Sequence, residues 1–314
     1  MTTTSEPGHE HADESLNALI SERRQVTNLA YRLLGSLTDA EDVVQETYVR
    51  WYAMSRQQRD EVESVGGWLT TVASRICLDI LRSARVRRER YTGDWLPEPL
   101  PDLTERGTGL TEGATVDPAD RVTLDESVSM AFLVVLDSMT PAERVAFVLH
   151  DVFRYPFADI AEILGRTPVA CRHLASSARR RIRAAQPPAA PVTQQAGLVR
   201  AFKQAWQAQD IKALVALLDP DVKAIADTGG LASTSGPAED AEHIALGFID
   251  VARRLSGLTI LERMVNGRPG LVAQRDGVTV TVVAFDGTGD RITHIWAIRN
   301  PHKLRLWAAQ SPQD

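Results

Sequence analysis

The sequence contains few cysteines and no long apolar segment. Only Cys77 and Cys171 occur in 314 residues, and they lie in separate segments of helical pattern, which excludes a disulfide framework and a thiolate metal site. No stretch approaches the roughly 18 consecutive apolar residues of a membrane-spanning helix. The opening MTTTSEPGHEHADES is polar and acidic with no apolar run behind it, so no export signal is predicted. These absences predict a cytoplasmic protein with no membrane contact, no metal and no cofactor.

The chain is acidic overall and long enough for several buried cores. Its formal net charge is -6 and 44% of its residues are hydrophobic, which fits two or three domains. Prolines, glycines and acidic residues interrupt the helical periodicity after residue 90, and the run AAQPPAAP interrupts it again. The predicted units are a helical domain at 16–90, an acidic linker at 91–123, a second helical domain at 124–184 and a last domain at 192–310.

The last domain combines helical and strand patterns. Helical stretches at 198–218 and 239–255 precede the β-rich runs LTILERMV, VTVTVVAF and RITHIWAIR. The segments NGRPG, DG and DGTGD between these runs are typical of turns. This part of the chain is therefore predicted to be α+β.

The segment FADIAEILGRTPVACRHLASSARRRIR, 157–183, has the pattern of a helix-turn-helix. An apolar helical face is followed by Gly165, which tolerates a positive φ, and then by Thr167 and Pro168 as the cap and first-turn residue of a second helix. The alternative is an ordinary helical hairpin with a solvated basic face. Between Arg154 and Arg183 there are seven arginines in an acidic chain, and such a local basic patch favours phosphate binding.

Two further helical segments carry charge in the first domain. TDAEDVVQETYVRWY, 38–52, places acidic residues in its first turn, and its bland interpretation is a solvated acidic face. GGWLTTVASRICLDILRSARVRRER, 66–90, has an apolar stripe, an adjacent stripe that includes Arg75 and Arg82, and several arginines at its end, which suits phosphate contact. Trp68 at its start fits either a core position or stacking on an unpaired base.

The acidic helix, the arginine-bearing helix and the helix-turn-helix follow one another within residues 16–184. In this order they resemble the extracytoplasmic-function group of the sigma-70 family of RNA polymerase sigma factors. DAEDVVQETYVRW is similar to the polymerase-binding segment of the family, GGWLTTVASRICLDILR to its minus-10 reader, and 157–183 to its minus-35 reader. The resemblance implies an alternative sigma factor whose partners are core RNA polymerase, at the β′ clamp and β flap, and promoter DNA.

The resemblance also implies three sets of contact residues. The polymerase-binding residues would be Asp39, Asp42, Gln45 and Glu46. The minus-10 residues would be Trp68, Arg75, Asp79, Arg82 and Arg85. The minus-35 residues would be Thr167, Ala170, Arg172, His173, Ser176, Arg179 and Arg180.

The last domain resembles the SnoaL-like branch of the NTF2 fold, and WLPEP at 95–99 with NPHKL at 300–304 resembles the signature of the SigJ-like group of sigma factors that carry such an extension. The implied fold class is two all-α DNA-binding domains, the second a helix-turn-helix, followed by an α+β NTF2/SnoaL-like domain. We expect the two motifs to touch, with Lys303 close to Glu98, and to regulate the factor in cis. The implied regulatory contacts are Trp95, Leu96, Pro97, Glu98, Pro99, Asn300, Pro301 and Lys303.

Two other classes of protein compete with the sigma factor hypothesis. A SnoaL-like enzyme fused to a DNA-binding module would use Asp227 or His294 as a base, although no spacing in the sequence requires that arrangement. A one-component regulator would use the helix-turn-helix and sense a ligand in the last domain, but it would not need the polymerase-binding segment. In either the sigma factor or the regulator, the last domain leaves room for an unidentified small ligand.

Overall fold

The computed structural model describes residues 7–88, 95–102, 128–185, 191–230, 238–255 and 257–308, without the side chains of 7–20, 84–88 and 308. Most of the predicted acidic linker, 91–123, therefore lies outside the described residues. The described chain forms two helical units and one unit built on a β-sheet. Their order along the chain is the one predicted from the sequence.

The first helical unit owes its helix boundaries to local capping. Ser36 accepts a hydrogen bond of 3.2 Å from the Asp39 amide at the start of the second helix, and Ser55 and Gln58 form a capping box at the start of the third. Its helices are α1 (Pro7–Leu34), α2 (Leu37–Ala53), α3 (Arg56–Asp60) and α4 (Val65–Arg88).

The second helical unit contains the predicted helix-turn-helix, which is confirmed. Its helices are α5 (Met130–Asp137), α6 (Pro141–Phe147), α7 (Phe157–Leu164) and α8 (Pro168–Ala185), with a π-helical turn at Val148–Val152. Gly165 ends α7 with a φ of 62°, a left-handed conformation that glycine adopts without a Cβ penalty. The Thr167 hydroxyl then accepts a 3.2 Å hydrogen bond from the Ala170 amide at the start of α8.

The last unit is a mixed five-stranded sheet in the order β1-β5-β4-β3-β2. Its strands are β1 (Leu218–Asp227), β2 (Leu258–Val265), β3 (Arg268–Arg275), β4 (Val278–Thr288) and β5 (Arg291–Ile298). Its helices are α9 (Val192–Gln207), α10 (Ile211–Leu217), α11 (Ala241–Arg254) and α12 (Arg305–Ala308). β1 pairs with β5 in parallel, and the other pairs are antiparallel. This α+β arrangement agrees with the predicted fold class.

The sequence-based prediction omitted two of these strands. β1 begins at Leu218, where a helical stretch was predicted to end, and β3 begins inside NGRPG, which was assigned to a turn. Only Asn266 and Gly267, with φ of 51° and 73°, form that turn, so the chain is extended again from Arg268. An Asn-Gly pair with two positive φ values closes a hairpin in two residues.

The three units pack against one another. Leu69 of α4 belongs to the same apolar cluster as Ile160 of α7, so the two helical units share a core. One face of the sheet packs under α9 and α11, and the opposite face, which includes Trp296, packs against Leu96 and Met130. The sheet therefore contacts both the 95–102 segment and the second helical unit directly.

Candidate polymerase, promoter and interdomain surfaces

The four predicted polymerase-binding residues form an exposed face of α2. Asp39, Asp42, Gln45 and Glu46 are all exposed, and Glu46 makes a 2.8 Å ion pair with Arg50 one turn later. The neighbouring stripe of the helix is apolar, and sequence reasoning missed it: Val49 is 63% and Tyr52 is 59% exposed. The available signal was the spacing of Gln45, Val49 and Tyr52, which places them on one helix face. An acidic edge beside exposed apolar side chains is a surface suited to a protein partner.

The predicted minus-10 residues lie along α4 in different environments. Trp68 is half-buried and packs against the Trp51 ring, with 5.2 Å between ring centroids. Asp79 and Arg82 form an exposed ion pair of 3.5 Å. Arg75 is exposed and donates a 3.3 Å hydrogen bond from Nη2 to the backbone carbonyl of Glu162 in α7. The Arg85 side chain lies outside the described residues.

The predicted minus-35 residues lie on α8, and their exposure separates them. Arg172, His173 and Arg180 are exposed, as is Thr167 at the helix cap, whereas Ala170 and Ser176 are half-buried. The Arg172 guanidinium lies over the Phe157 ring, 5.4 Å from its centroid.

The remaining minus-35 candidate, Arg179, is engaged within the protein. It donates a 2.8 Å hydrogen bond from Nε to Asp151 and is half-buried. Its neighbours Ser177 and Arg181 both approach Glu143, at 2.8 and 3.8 Å. Arg180 is exposed and makes none of these contacts. The geometry therefore favours Arg180 over Arg179 as a contact for an external phosphate.

The WLPEP and NPHKL segments contact each other around Lys303. Its Nζ lies 2.6 Å from a carboxylate oxygen of Asp227, donates a hydrogen bond to the Leu96 carbonyl, and sits 4.3 Å from the centroid of the Trp95 ring. The same oxygen of Asp227 accepts a 3.2 Å hydrogen bond from the Leu96 amide. We use "clasp" for the contacts of Trp95, Leu96 and Pro99 with Asp227, Lys303 and Trp307. The indole N–H of Trp307 completes it with a 2.9 Å hydrogen bond to the Pro99 carbonyl.

Lys303 therefore forms its ion pair with Asp227 and not with Glu98, the partner expected from the sequence, because Asp227 lies at this position at the end of β1. Glu98 turns instead toward the first helical unit, where its carboxylate accepts a 2.8 Å hydrogen bond from the Leu37 amide. Its backbone carbonyl accepts a 2.7 Å hydrogen bond from the Tyr31 hydroxyl. Burial raises the pKa of Glu98 above its ordinary value, although the Leu37 amide and the charge of Lys303 act in the opposite direction.

The other residues of the two motifs shape the backbone. Leu96, Pro97, Glu98 and Pro99 are buried. Asn300 is also buried, and its side-chain oxygen accepts a 3.1 Å hydrogen bond from the His302 amide, which caps the 3-10 turn Pro301–Lys303. The turn directs the Lys303 side chain back toward Asp227. Asn300 thus caps the turn with its side-chain oxygen, and Pro301 begins it.

Asn266 joins all three units, and sequence reasoning gave it no role. Its side-chain nitrogen donates to the Tyr31 hydroxyl of α1 and to the Val128 carbonyl, both at 2.8 Å. Its side-chain oxygen accepts a 2.9 Å hydrogen bond from the Leu100 amide, and its own amide donates to the Leu100 carbonyl at 2.8 Å. No local sequence pattern predicts this role of Asn266, since each of its partners is more than 130 positions away in the sequence.

The two residues suggested as catalytic bases are not brought together. Asp227 is 1% exposed and pairs with Lys303. His294 lies four residues before Ile298, the β5 residue that pairs with Asp227, which separates the two by roughly 13 Å along the strand. Burial lowers the pKa of His294 and raises that of the adjacent Asp286. The geometry gives no acid–base pair that includes Asp227, so it does not favour the enzyme hypothesis.

The described part of the chain contains neither a membrane span nor a metal cluster. None of its helices is long and apolar enough to cross a bilayer. None of its groups of histidine, cysteine and carboxylate side chains could hold a metal ion. Both cysteines are buried free thiols, and burial raises the pKa of each.

Comparison with known proteins agrees with this geometry. Residues 19–87 match Sigma-70 region 2 and residues 129–182 match Sigma-70 region 4, which defines a sigma-70-type transcription initiation factor. The chain is 38% identical over 297 residues to the ECF RNA polymerase sigma factor SigJ of Mycobacterium tuberculosis, covering 90% of each chain. It is 34% identical to the probable ECF sigma factor SigI of the same species, covering 90% of this chain and 92% of that one.

The similarity extends to the fold of the whole chain. The crystal structure of M. tuberculosis SigJ superposes with a TM-score of 0.73 and 32% identity, covering 92% of this chain and 98% of that one. The protein belongs to the extracytoplasmic-function RNA polymerase sigma factors. It is an alternative sigma factor that binds core RNA polymerase and directs transcription from promoter DNA, and this family is not one of enzymes.

Proposed function

We propose that the sigma factor uses three separate surfaces for initiation and that its last domain regulates them in cis. Residues 16–90 serve as sigma region 2, 124–184 as sigma region 4, and 192–310 as a regulatory domain joined through the linker at 91–123. The exposed face of α2 contacts core polymerase at the β′ clamp, and the β flap provides a second contact on the enzyme. α4 reads the minus-10 element and α8 reads the minus-35 element.

The α2 surface supports the polymerase contact by its composition. Asp42 and Glu46 give it negative charge for steering and orientation, while Val49 and Tyr52 supply apolar area that loses water on binding. Exposed apolar side chains of this size carry a cost in an isolated protein, and a partner removes it. The combination supports a polymerase contact better than a purely solvated acidic face.

The α8 surface supports base recognition and phosphate contact by different residues. Arg172 and His173 are exposed near the start of the helix, and the Phe157 ring limits the orientations available to Arg172. A positioned guanidinium can donate two hydrogen bonds to a guanine edge. Arg180, two turns later and exposed, suits a phosphate, which positions the helix without reading sequence.

The arrangement of the two helical units supports regulation in cis. The minus-10 and minus-35 elements lie roughly 80 Å apart along B-DNA at about 3.4 Å per base pair. In the structure, however, Arg75 of α4 is hydrogen-bonded to α7, the helix next to the reading helix α8. Units in direct contact cannot reach both elements, so this closed arrangement must open on promoter binding. The last domain then acts by stabilising the closed arrangement.

The observation that carries the regulatory proposal is the set of hydrogen bonds made by Asn266. A single side chain of the last domain binds α1, the 95–102 segment and the start of the second helical unit. All of these bonds are buried, and the Leu100 amide and the Val128 carbonyl would lose them if the Asn266 side chain were removed while the units stayed together, whereas the Tyr31 hydroxyl would keep its bond to the Glu98 carbonyl. Opening restores water to those partners, so loss of Asn266 favours the open arrangement.

The test replaces Asn266 by Gly, which keeps the positive φ and removes the side chain. Asp276→Gly is the matched control, because Asp276 has the same φ of 51° in the exposed β3–β4 turn. Transcription is measured with purified core polymerase on a promoter selected from random DNA by the wild-type holoenzyme, and core binding is measured in parallel. We expect Asn266→Gly to raise output with unchanged core affinity. Equal output from the two variants would contradict regulation through this junction.

A further inference from the structure

An apolar cavity, partly open to solvent, lies between α11 and the sheet of the last domain. Its volume is about 240 Å³, and its walls include Trp206, Phe248 and Ile295. An apolar cavity of about 150 Å³ holds one benzene molecule, so this one accommodates a ligand of roughly ten non-hydrogen atoms. The walls alone select a small hydrocarbon body.

His243 of α11 lines the cavity, and two further polar groups, Thr281 and Arg299, lie together on its sheet wall. Thr281 of β4 is 4% exposed, and its hydroxyl has no hydrogen-bond partner in the part of the chain that is described. Val282 pairs with Ile298 in the β4–β5 ladder, so the register places Arg299 opposite Thr281 on the cavity face. The half-buried Arg299 guanidinium likewise has no side-chain partner among the described residues. A hydroxyl and a guanidinium on the wall of an apolar chamber suit a carboxylate.

The wall formed by α11 contains a glycine where a larger residue would fill space. Gly247 is an exposed residue in the middle of the helix that lines the cavity, and a Cβ added to it would meet no atom within 4 Å. Glycine is the least favourable residue in a helix interior after proline. Its presence here leaves the wall open at a position where alanine would fit.

We propose that this cavity binds a small amphipathic monocarboxylate of about ten non-hydrogen atoms, with its hydrocarbon body against Phe248 and Ile295 and its carboxylate between Thr281 and Arg299. The binding claim does not depend on the proposed function. The effect of binding on regulation does rest on the proposed function. The Arg299 amide donates a 2.7 Å hydrogen bond to the Asp227 carbonyl, and the Asp227 carboxylate holds the clasp. A ligand bound at Arg299 would therefore be connected to the clasp through the hydrogen bond between Arg299 and Asp227.

The experiment is calorimetric titration of the full-length protein with sodium octanoate, a carboxylate of the required size, and with 1-octanol, which has the same chain without the charge. We expect saturable binding of one octanoate per chain. Gly247→Leu should weaken it at least tenfold by filling the cavity. Gly197→Leu is the matched control, because Gly197 of α9, like Gly247, is an exposed helical glycine with open space at its Cβ, but it does not line the cavity. It should bind octanoate as the wild type does.

The head-group assignment is tested by Thr281→Val and Arg299→Gln. Each should weaken octanoate at least fivefold and leave 1-octanol binding within twofold of the wild type. Thr281→Val removes an unpartnered buried hydroxyl, so its fold should be at least as stable as that of the wild type, which a thermal melt checks. Absence of saturable octanoate binding, equal binding by the two leucine variants, or equal losses for octanoate and octanol would overturn the proposal. The transcription assay of Asn266→Gly contains no octanoate. Failure of the regulatory proposal in that assay would therefore be distinguished from failure of the octanoate binding proposed here.

Discussion

Replacement of Lys303 by Met is expected to open the closed arrangement. In the closed arrangement the Asp227 carboxylate is 1% exposed and the Lys303 side chain 12% exposed, so their 2.6 Å ion pair is almost fully removed from water. Methionine keeps most of the side-chain length and removes the charge. Asp227 would then be a buried carboxylate that retains hydrogen bonds from the Leu96 and Gly229 amides.

The magnitude follows from the difference between the two arrangements. Breaking a buried ion pair by removing one partner costs about 3–5 kcal/mol, because the other charge stays buried. When the units separate, the 95–99 segment leaves the pair, which then faces water and contributes about 0–1 kcal/mol. The net shift favours the open arrangement by about 3 kcal/mol, or roughly a hundredfold in the equilibrium constant.

The assay is the distance between fluorophores on engineered cysteines at Gln57 and Arg183, one exposed residue in each helical unit. The native Cys77 and Cys171 are buried and will not compete for label. Lys303→Met should move the population from short to long distances.

The control and the rescue both change residues of β1. Lys223 lies on β1 and forms an exposed ion pair with Glu239. Lys223→Met removes that ion pair and should leave the distance between the fluorophores unchanged. Asp227→Asn combined with Lys303→Met should restore much of the closed population, since no buried charge then remains. If Lys303→Met behaved like Lys223→Met, or if the double variant showed only the sum of the single effects, the reasoning would be refuted.

Three further predictions concern other surfaces. Charge reversal at Asp42 and Glu46 should weaken core binding at least tenfold, about 1.4 kcal/mol, without changing the melting temperature; unchanged affinity in the double variant would argue against the α2 surface. Arg172→Ala should relax base preference at the minus-35 element and weaken DNA binding by about 1–3 kcal/mol. Arg180→Ala should weaken binding to all DNA sequences alike and reduce the salt dependence of binding by about one phosphate contact. Identical footprints and salt titrations for the two variants would contradict the placement of α8 on the minus-35 element. The raised pKa of Glu98 means that the closed state binds its proton more tightly than the open state, so the closed arrangement should gain stability as the pH falls toward that pKa and should lose this gain as the pH rises through it. Glu98→Gln should abolish this dependence in the fluorophore distance assay, and an unaltered pH profile would exclude Glu98 as its source.

Local sequence signals predicted the helical units well and the sheet less well. The helix-turn-helix was recognisable because Gly165, Thr167 and Pro168 determine the helix ends immediately next to them in the sequence. β1 was missed because Asp219 and Pro220 directly follow its first residue and because it gains its hydrogen bonds from β5, about 70 residues later. Partners fixed by such distant pairing cannot be identified from local pattern, which is also why Lys303 was expected near Glu98.

The interdomain residues show the same limit more strongly. Asn266 looks like any turn asparagine, and its hairpin would close equally well in a protein that lacked the helical units. Its role arises only when α1, the 95–102 segment and the second helical unit converge on it. The exposed Val49 and Tyr52 were overlooked for the opposite reason, since apolar residues at helical spacing are ordinarily assigned to a core.

Covalent attachment of the last domain determines how strong its contacts need to be. The short proline-rich joint at 184–191 holds that domain at an effective concentration of roughly millimolar near the helical units. An interface with an intrinsic dissociation constant of about 1 μM would therefore favour the closed arrangement by roughly a thousandfold. Loss of a hundredfold from the clasp would reduce that preference to about tenfold, which leaves a measurable open fraction. A separate inhibitor would have to bind far more tightly to reach the same closed fraction at cellular concentrations, so a clasp built from a few buried contacts is sufficient only because it is part of the same chain.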